Sequence, residues 1–244
     1  MTPVRALLPA AAALLLLAGC GGSGGEDAAA PRGEAIAAVP PPAGKQWTEV
    51  VTKTPEGGIR MGNPDAAIKL VEYAALTCPH CKDFTAEATE PLKRDYIATG
   101  KLSWELRPFL LSALDVAPTL LARCQGPAAF FKLTEQTYAA QPEWTGRFIK
   151  LTQAEQQKLT GNFPAMAKAM GLDGFFRARG LPEGKLQACL TDRAALEELA
   201  RITERATNQD GVSGTPSFLI NGKLQEGVAG WEPLRVKLAD IAGA

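Results

Sequence analysis

The tetrapeptide Cys78-Pro79-His80-Cys81 constrains this chain more than any other feature, because two cysteines separated by two residues can close a small, reversible disulfide ring. Its flanks set the local geometry. Ile68-Lys69-Leu70-Val71-Glu72-Tyr73 reads as a strand and the residues after Cys81 read as a helix. Cys78 therefore falls at a helix N-terminus, where free backbone N–H groups and the macrodipole stabilise a thiolate.

At 244 residues the chain can bury one substantial core or two small ones. Its 26 basic and 26 acidic residues balance, and no Lys/Arg cluster with interleaved aromatics marks a nucleic-acid surface. The partner that this composition favours is protein. His80 is the only histidine, which excludes a His-based triad elsewhere and any multi-histidine metal site.

Residues 1–19 carry a single Arg5 before the apolar run Ala6 to Ala18, too short for an ordinary spanning helix, and read as a secretory signal peptide. Leu17-Ala18-Gly19-Cys20 resembles the lipobox of bacterial lipoproteins, which implies that Cys20 becomes an acylated first residue. Residues 20–45, rich in Gly, Ala and Pro, read as a tether from which a folded body stands off a bilayer. The expected location is the cell envelope, periplasm-facing and lipid-anchored to a membrane.

Along the folded part, Trp47 to Lys53 and Gly57 to Met61 read as short strands, and Ala67 to Ala75 as the central one. A helix is expected from Pro79 to about Thr99, kinked at Pro91 and capped at Gly100, followed by a strand at Leu102 to Leu106. From Val116 to Asn208 the pattern is helical, broken by Pro127, Pro142, Pro164 and Pro182. Thr152 and Glu155 fit a capping box, and Ala195, Leu199, Ile202 and Ala206 form one apolar stripe. Ser217 to Ile220 returns to strand chemistry, Asn221-Gly222 is a strong hairpin signal, and Lys223 to Gln225 can pair back. A final helix, Trp231 to Ala242, is expected to lay Leu234, Leu238 and Ile241 on a sheet face.

The expected fold is α/β, residues 46–115 and 209–244 forming one domain and residues 116–208 a helical insertion. Within it Cys78, at the exposed end of the turn, is expected to be the attacking or attacked sulfur, and Cys81, one helical turn further in, the resolving thiol. An imidazolium or ring N–H of His80 is expected to lower the Cys78 pKa. Glu72 shares a strand face with Ile68 and Leu70, so burial raises its pKa and suits it to proton exchange; a partly exposed strand-end glutamate is the alternative. Cys124 and Cys189, in an exported chain, are expected to form a structural disulfide, two separate buried thiols being the alternative. Zinc is disfavoured because Cys124 and Cys189 do not form a second close pair. Metal and cofactor are both expected to be none.

Cys78-Pro79-His80-Cys81 after a strand, a helical segment, then Gly214-Thr215-Pro216 before a hairpin and helix resembles the DsbA-like branch of the thioredoxin fold, from Trp47 to Ala244. The resemblance implies a thioredoxin-like fold with a helical insertion and a thiol:disulfide oxidoreductase acting on exported proteins. By position, it implies that Pro216 is cis beside the cysteines, that Thr215 presents its backbone to an extended client, and that Glu72 lies beneath Cys81. Oxidation of clients by disulfide donation is the leading direction. Thr215 before the proline also occurs in reductase and isomerase branches, so a reductase or isomerase of the envelope is the alternative, and an anchored non-catalytic binding protein a second. The implied partners are exported protein clients, a redox-recycling protein and, through Cys20, a membrane; the chain is expected to be a monomer.

Overall fold

Strand β3 (Ile68–Ala74) organises the molecule, because six of its seven residues are buried and it runs between two other strands. The computed structural model describes residues 35–243, so the signal segment 1–19, Cys20 and the first part of the tether lie outside the described residues. The remaining strands are β1 (Val51–Lys53), β2 (Ile59–Gly62), β4 (Leu102–Pro108), β5 (Ser217–Ile220) and β6 (Lys223–Leu224). The sheet order is β1-β2-β4-β3-β5-β6, with β3 parallel to β4 and every other neighbouring pair antiparallel.

Between β3 and β4 runs helix α1 (Pro79–Pro91), the crossover that a parallel pair requires. Between β4 and β5 lie eight helices, α2 (Val116–Cys124), α3 (Pro127–Ala139), α4 (Gln141–Ile149), α5 (Gln153–Leu159), α6 (Phe163–Met170), α7 (Leu172–Arg177), α8 (Glu183–Leu190) and α9 (Arg193–Asn208). Helix α10 (Trp231–Ala242) closes the chain. This is a thioredoxin-like α/β fold interrupted by a helical segment.

Alternation along β3 divides the interior. Ile68, Leu70 and Ala74 join the larger core with Phe84 of α1, Trp104 of β4 and Phe131 of α3. Val71 and Tyr73 face the smaller core with Leu199, Ile202 and Ala206 of α9. The α9 stripe lies inward as its spacing predicts, and Ala195 packs at its edge. Thr152 Oγ1 accepts from Glu155 N while a Glu155 carboxylate oxygen accepts from Thr152 N, completing the capping box.

Four local expectations need correction. Trp47–Glu49 is a 3-10 turn rather than strand, because Gln46 and Glu49 cap each other, and extended structure starts only at Val51. At Pro91, α1 passes into a π-helical stretch, Leu92–Ile97, instead of a simple kink; Ala98 N donates five residues back to Lys93 O. On α10, Ile241 is 40% exposed and Ala242 is buried in its place. At about 100° per residue Ala242 lies roughly 40° from Leu238 around the axis and Ile241 roughly 60°.

The fourth concerns the tether. Residues 36–39 are held to the folded body: Ile36 N donates to Ala242 O, Val39 N to Thr99 O, and the Trp47 indole to Val39 O at 2.7 Å. Gly100, with φ +73°, gives Val39 its place, since a Cβ there would stand 2.5 Å from the Val39 oxygen. Among the described residues no helix is long and apolar enough to cross a membrane.

Candidate active site

Cys78 is the N-cap of α1 and Pro79 its first residue, where the missing N–H costs no intrahelical bond. The Cys78 sulfur accepts from Cys81 N at 3.3 Å and lies 3.3 Å from the Thr215 carbonyl oxygen, to which it donates when protonated. The two cysteines are free rather than bonded to each other. The Cys78 thiol is brought down to about 5, first by the hydrogen bond from the Cys81 thiol; burial opposes this, and the Thr215 side chain and the backbone N–H groups of Cys81 and His80 add to it. At neutral pH a reduced Cys78 is a thiolate.

Cys81 lies one turn deeper and is fully buried. Its thiol is pushed far above the ordinary range, chiefly by burial, then by its hydrogen bond to Cys78 and by the charge of Glu72. The pair therefore splits into an acidic sulfur that attacks and a protonated one that needs a base before it resolves.

Glu72 projects from β3 into the larger core and is wholly buried, which excludes the strand-end reading. The Trp104 indole donates to Glu72 Oε2 at 3.0 Å, while Oε1 has no partner among the described residues. Burial raises the carboxyl to about 8, with Trp104 opposing and Cys78 adding. A carboxyl in that range holds its proton at neutral pH and yields it at modest cost.

Two expectations about the turn change. Cys78 is only 4% exposed, because the loop carrying Thr215 lies against it, so the two sulfurs differ in depth and acidity rather than as exposed and buried. His80 is exposed and its side chain makes no hydrogen bond among the described residues, so no ring N–H is bonded to the sulfur; the His80 backbone N–H supports it. The Thr215–Pro216 peptide is cis, and the buried Thr215 hydroxyl has no hydrogen-bond partner among the described residues.

Cys124 and Cys189 are joined as a disulfide that links the end of α2 to α8. They are thus bonded to each other and away from the Cys78 turn. Three residues at the site were not singled out from sequence: Asp115, Tyr138 and Gln141, all buried, all bonded to the backbone of the turn before α1. Beside Gln141 only Pro142 was singled out, as a break in the helical pattern, and a buried polar side chain at a helix start carries no periodic signal.

A mixed sheet with a cysteine pair at a crossover-helix N-terminus, facing a cis-proline loop, defines the class: a thioredoxin-fold protein with a redox-type Cys-x-x-Cys. The family described as thioredoxin matches residues 54–239, and this chain belongs to it. Among solved structures it is similar to a protein-disulfide isomerase from Novosphingobium aromaticivorans, at 35% identity and TM-score 0.70 over 73% of this chain and 94% of that one. Alpha-DsbA1 from Wolbachia pipientis shares the fold at 21% identity and TM-score 0.63, over 81% of this chain and 96% of that one. A Rickettsia bellii protein, provisionally named a protein-disulfide oxidoreductase, is 29% identical over 178 residues, 73% of this chain; the match spans 62% of that relative's length.

Proposed function

We propose that this chain is a thiol:disulfide oxidoreductase acting on exported proteins by exchange through Cys78 and Cys81, with disulfide donation as its working direction. The observation that carries the reading is the split in acidity between the two sulfurs. A Cys78 thiol near 5 stabilises the reduced form, which makes the Cys78–Cys81 disulfide a stronger oxidant.

In the oxidising direction, a client thiolate attacks Cys78 Sγ, the Cys78–Cys81 bond breaks, and Cys81 leaves as the sulfur that is reprotonated. The client's second thiolate then attacks its own sulfur in the mixed disulfide, and Cys78 departs as a thiolate. Glu72 supplies or takes the Cys81 proton, and the Thr215–Pro216 backbone holds the client extended beside Cys78. Two electrons pass from client to enzyme, which a redox-recycling partner removes.

Around this chemistry we place residues 46–115 and 209–244 as the catalytic domain and 116–208 as its helical insertion, stapled by Cys124–Cys189. Residues 1–19 serve as signal peptide and Cys20 as the lipid anchor on the periplasm-facing side of a membrane, with a monomeric body beyond residues 20–45.

Reduction or isomerisation is the second reading, favoured by Thr215 before the proline and by the name of the 35%-identical relative. Equilibration with glutathione buffers separates the two: a potential near −120 mV supports donation, and one near −270 mV supports reduction. Exchange itself is tested by trapping. Cys81→Ser is expected to accumulate mixed disulfides with exported proteins and Cys78→Ser to accumulate none; equal trapping by both overturns the assigned order.

A further inference from the structure

The turn Ala75–Cys78 leads from β3 into α1, and residues far along the chain hold its backbone. Gln141 Nε2, at the start of α4, donates to Leu76 O at 2.7 Å and to Cys78 O at 2.9 Å. Tyr138 Oη, at the end of α3, donates to Ala75 O at 3.1 Å. From the other side Asp115, just before α2, accepts from Thr77 N at 2.8 Å through one carboxylate oxygen and from Leu111 N and Ser112 N through the other. These side chains are at most 5% exposed. Each of the four residues of the turn is therefore held through a backbone group by a side chain 38 to 65 positions away.

We propose that Gln141, supported by Tyr138 and Asp115, is a positioning residue of the redox turn: the helical insertion reaches back and fixes the Ala75–Cys78 backbone so that Cys78 Sγ stays against Thr215. The inference rests on the exchange chemistry proposed above and extends it to residues outside the cysteine turn and the proline loop. Neither Gln141 nor Tyr138 hydrogen-bonds to a sulfur of the pair among the described residues.

Physical reasons single out Gln141. Leu76 O has no other donor among the described residues, so its loss leaves a buried carbonyl unpaired and the turn free to rearrange. Cys78 O keeps only the bond from Lys82 N. Both amide hydrogens of Gln141 set positive partial charge against carbonyl oxygens within two residues of the sulfur. Removing them leaves the negative ends of those carbonyls uncompensated, which opposes a thiolate at Cys78.

The test uses the full chain and three variants: Gln141→Leu, Tyr138→Phe and, as control, Gln125→Leu. Gln125 makes a similar bond within the insertion, Nε2 to Arg179 O at 3.2 Å, and none to the turn. The readouts are the pH dependence of Cys78 alkylation and the Cys78/Cys81 potential in glutathione buffers.

Gln141→Leu is expected to raise the Cys78 pKa by about half a unit, roughly threefold less thiolate well below the pKa. The same factor of three makes the potential about 15 mV more reducing. Tyr138→Phe moves both in the same direction by less, and Gln125→Leu moves neither. If Gln141→Leu does not fold, Tyr138→Phe, which loses a single hydroxyl, decides. Unmoved values in Tyr138→Phe and in any folded Gln141→Leu, around a reactive wild-type pair, overturn the clamp alone. A shift of equal size in Gln125→Leu also overturns it, by making the effect a general loosening. An unreactive wild-type pair overturns the exchange reading and the clamp with it.

Discussion

Trp104 donates its indole N–H to Glu72 at 3.0 Å, and that bond is the one partner of a wholly buried carboxyl among the described residues. A group with one oxygen satisfied and one open is poorly suited to carry charge, which is why burial lifts it from 4.5 to about 8. Strand alternation places it on the face of β3 that meets the core around Cys81.

A pH signature follows from that carboxyl. Between about 4.5 and about 8 the folded protein holds a proton that the unfolded chain has lost, so this group's stabilising effect is complete below the unfolded pKa and is lost as pH rises through the folded one. Over the whole window the loss is on the order of 4 to 5 kcal/mol, because each pH unit between the two pKa values contributes about 1.36 kcal/mol. Glu72→Gln, which does not titrate, is expected to lack this decline and to gain on the wild type as pH rises from 5 to 8. Urea unfolding of both proteins across that range measures it, and parallel curves would remove the assignment.

Thr215→Val tests the opposite side of the sulfur. The Thr215 side chain lowers the Cys78 pKa, and its hydroxyl has no hydrogen-bond partner among the described residues, while the backbone carbonyl that meets the thiol remains in the variant. The pH midpoint of Cys78 alkylation is expected to move up from about 5 by about one unit, a tenfold loss of thiolate well below it, with little change in stability. An unmoved midpoint would show that the hydroxyl does not act on the sulfur.

What the sequence disclosed, and what it withheld, follows from how each residue is held. Glu72 was legible because a strand has period two and its neighbours Ile68 and Leu70 are plainly apolar. Cys78 was legible because a proline after it starts a helix. Asp115, Tyr138 and Gln141 were not, because their partners are backbone groups of a turn 38 to 65 residues earlier, and helix packing alone decides such meetings. The inward placement of Ile241 failed for a related reason: spacing places a side chain on a helix but does not say which of two nearby directions the neighbours fill.

The Cys124–Cys189 disulfide, with a sequence separation of 65, closes a loop that contains α3 to α7 and most of α8, and with them Tyr138 and Gln141. The chain-entropy relation for a loop of this length gives a stabilisation of up to about 4 kcal/mol. The Cys124→Ala, Cys189→Ala double variant is expected to unfold at clearly lower urea concentration than the wild type. Unfolding at the wild-type midpoint would mean that packing alone holds the insertion.

Arg107 carries the last prediction, on the sheet face away from the cysteines. Its side chain is 8% exposed; Nε and Nη2 donate to Glu105 at 2.6 and 3.2 Å, and Nη1 to Tyr73 Oη at 3.1 Å and Asp210 at 3.3 Å. Tyr73 Oη in turn donates to Asp210 at 2.6 Å, tying β3 to the start of the segment that leads to Thr215. Replacing Arg107 by Leu removes the guanidinium that neutralises both carboxylates, and breaking such a buried pair costs about 3 to 5 kcal/mol. The loss arises from uncompensated charge, so it is expected to depend on the carboxylates that Arg107 faces. Adding Asp210→Asn to Arg107→Leu is expected to recover part of it, because Asp210 then no longer carries a charge that only the more distant Arg205, at 3.8 Å, faces. Urea unfolding of the single and double variants measures the effect, and a penalty independent of Asp210 would assign Arg107 a packing role instead.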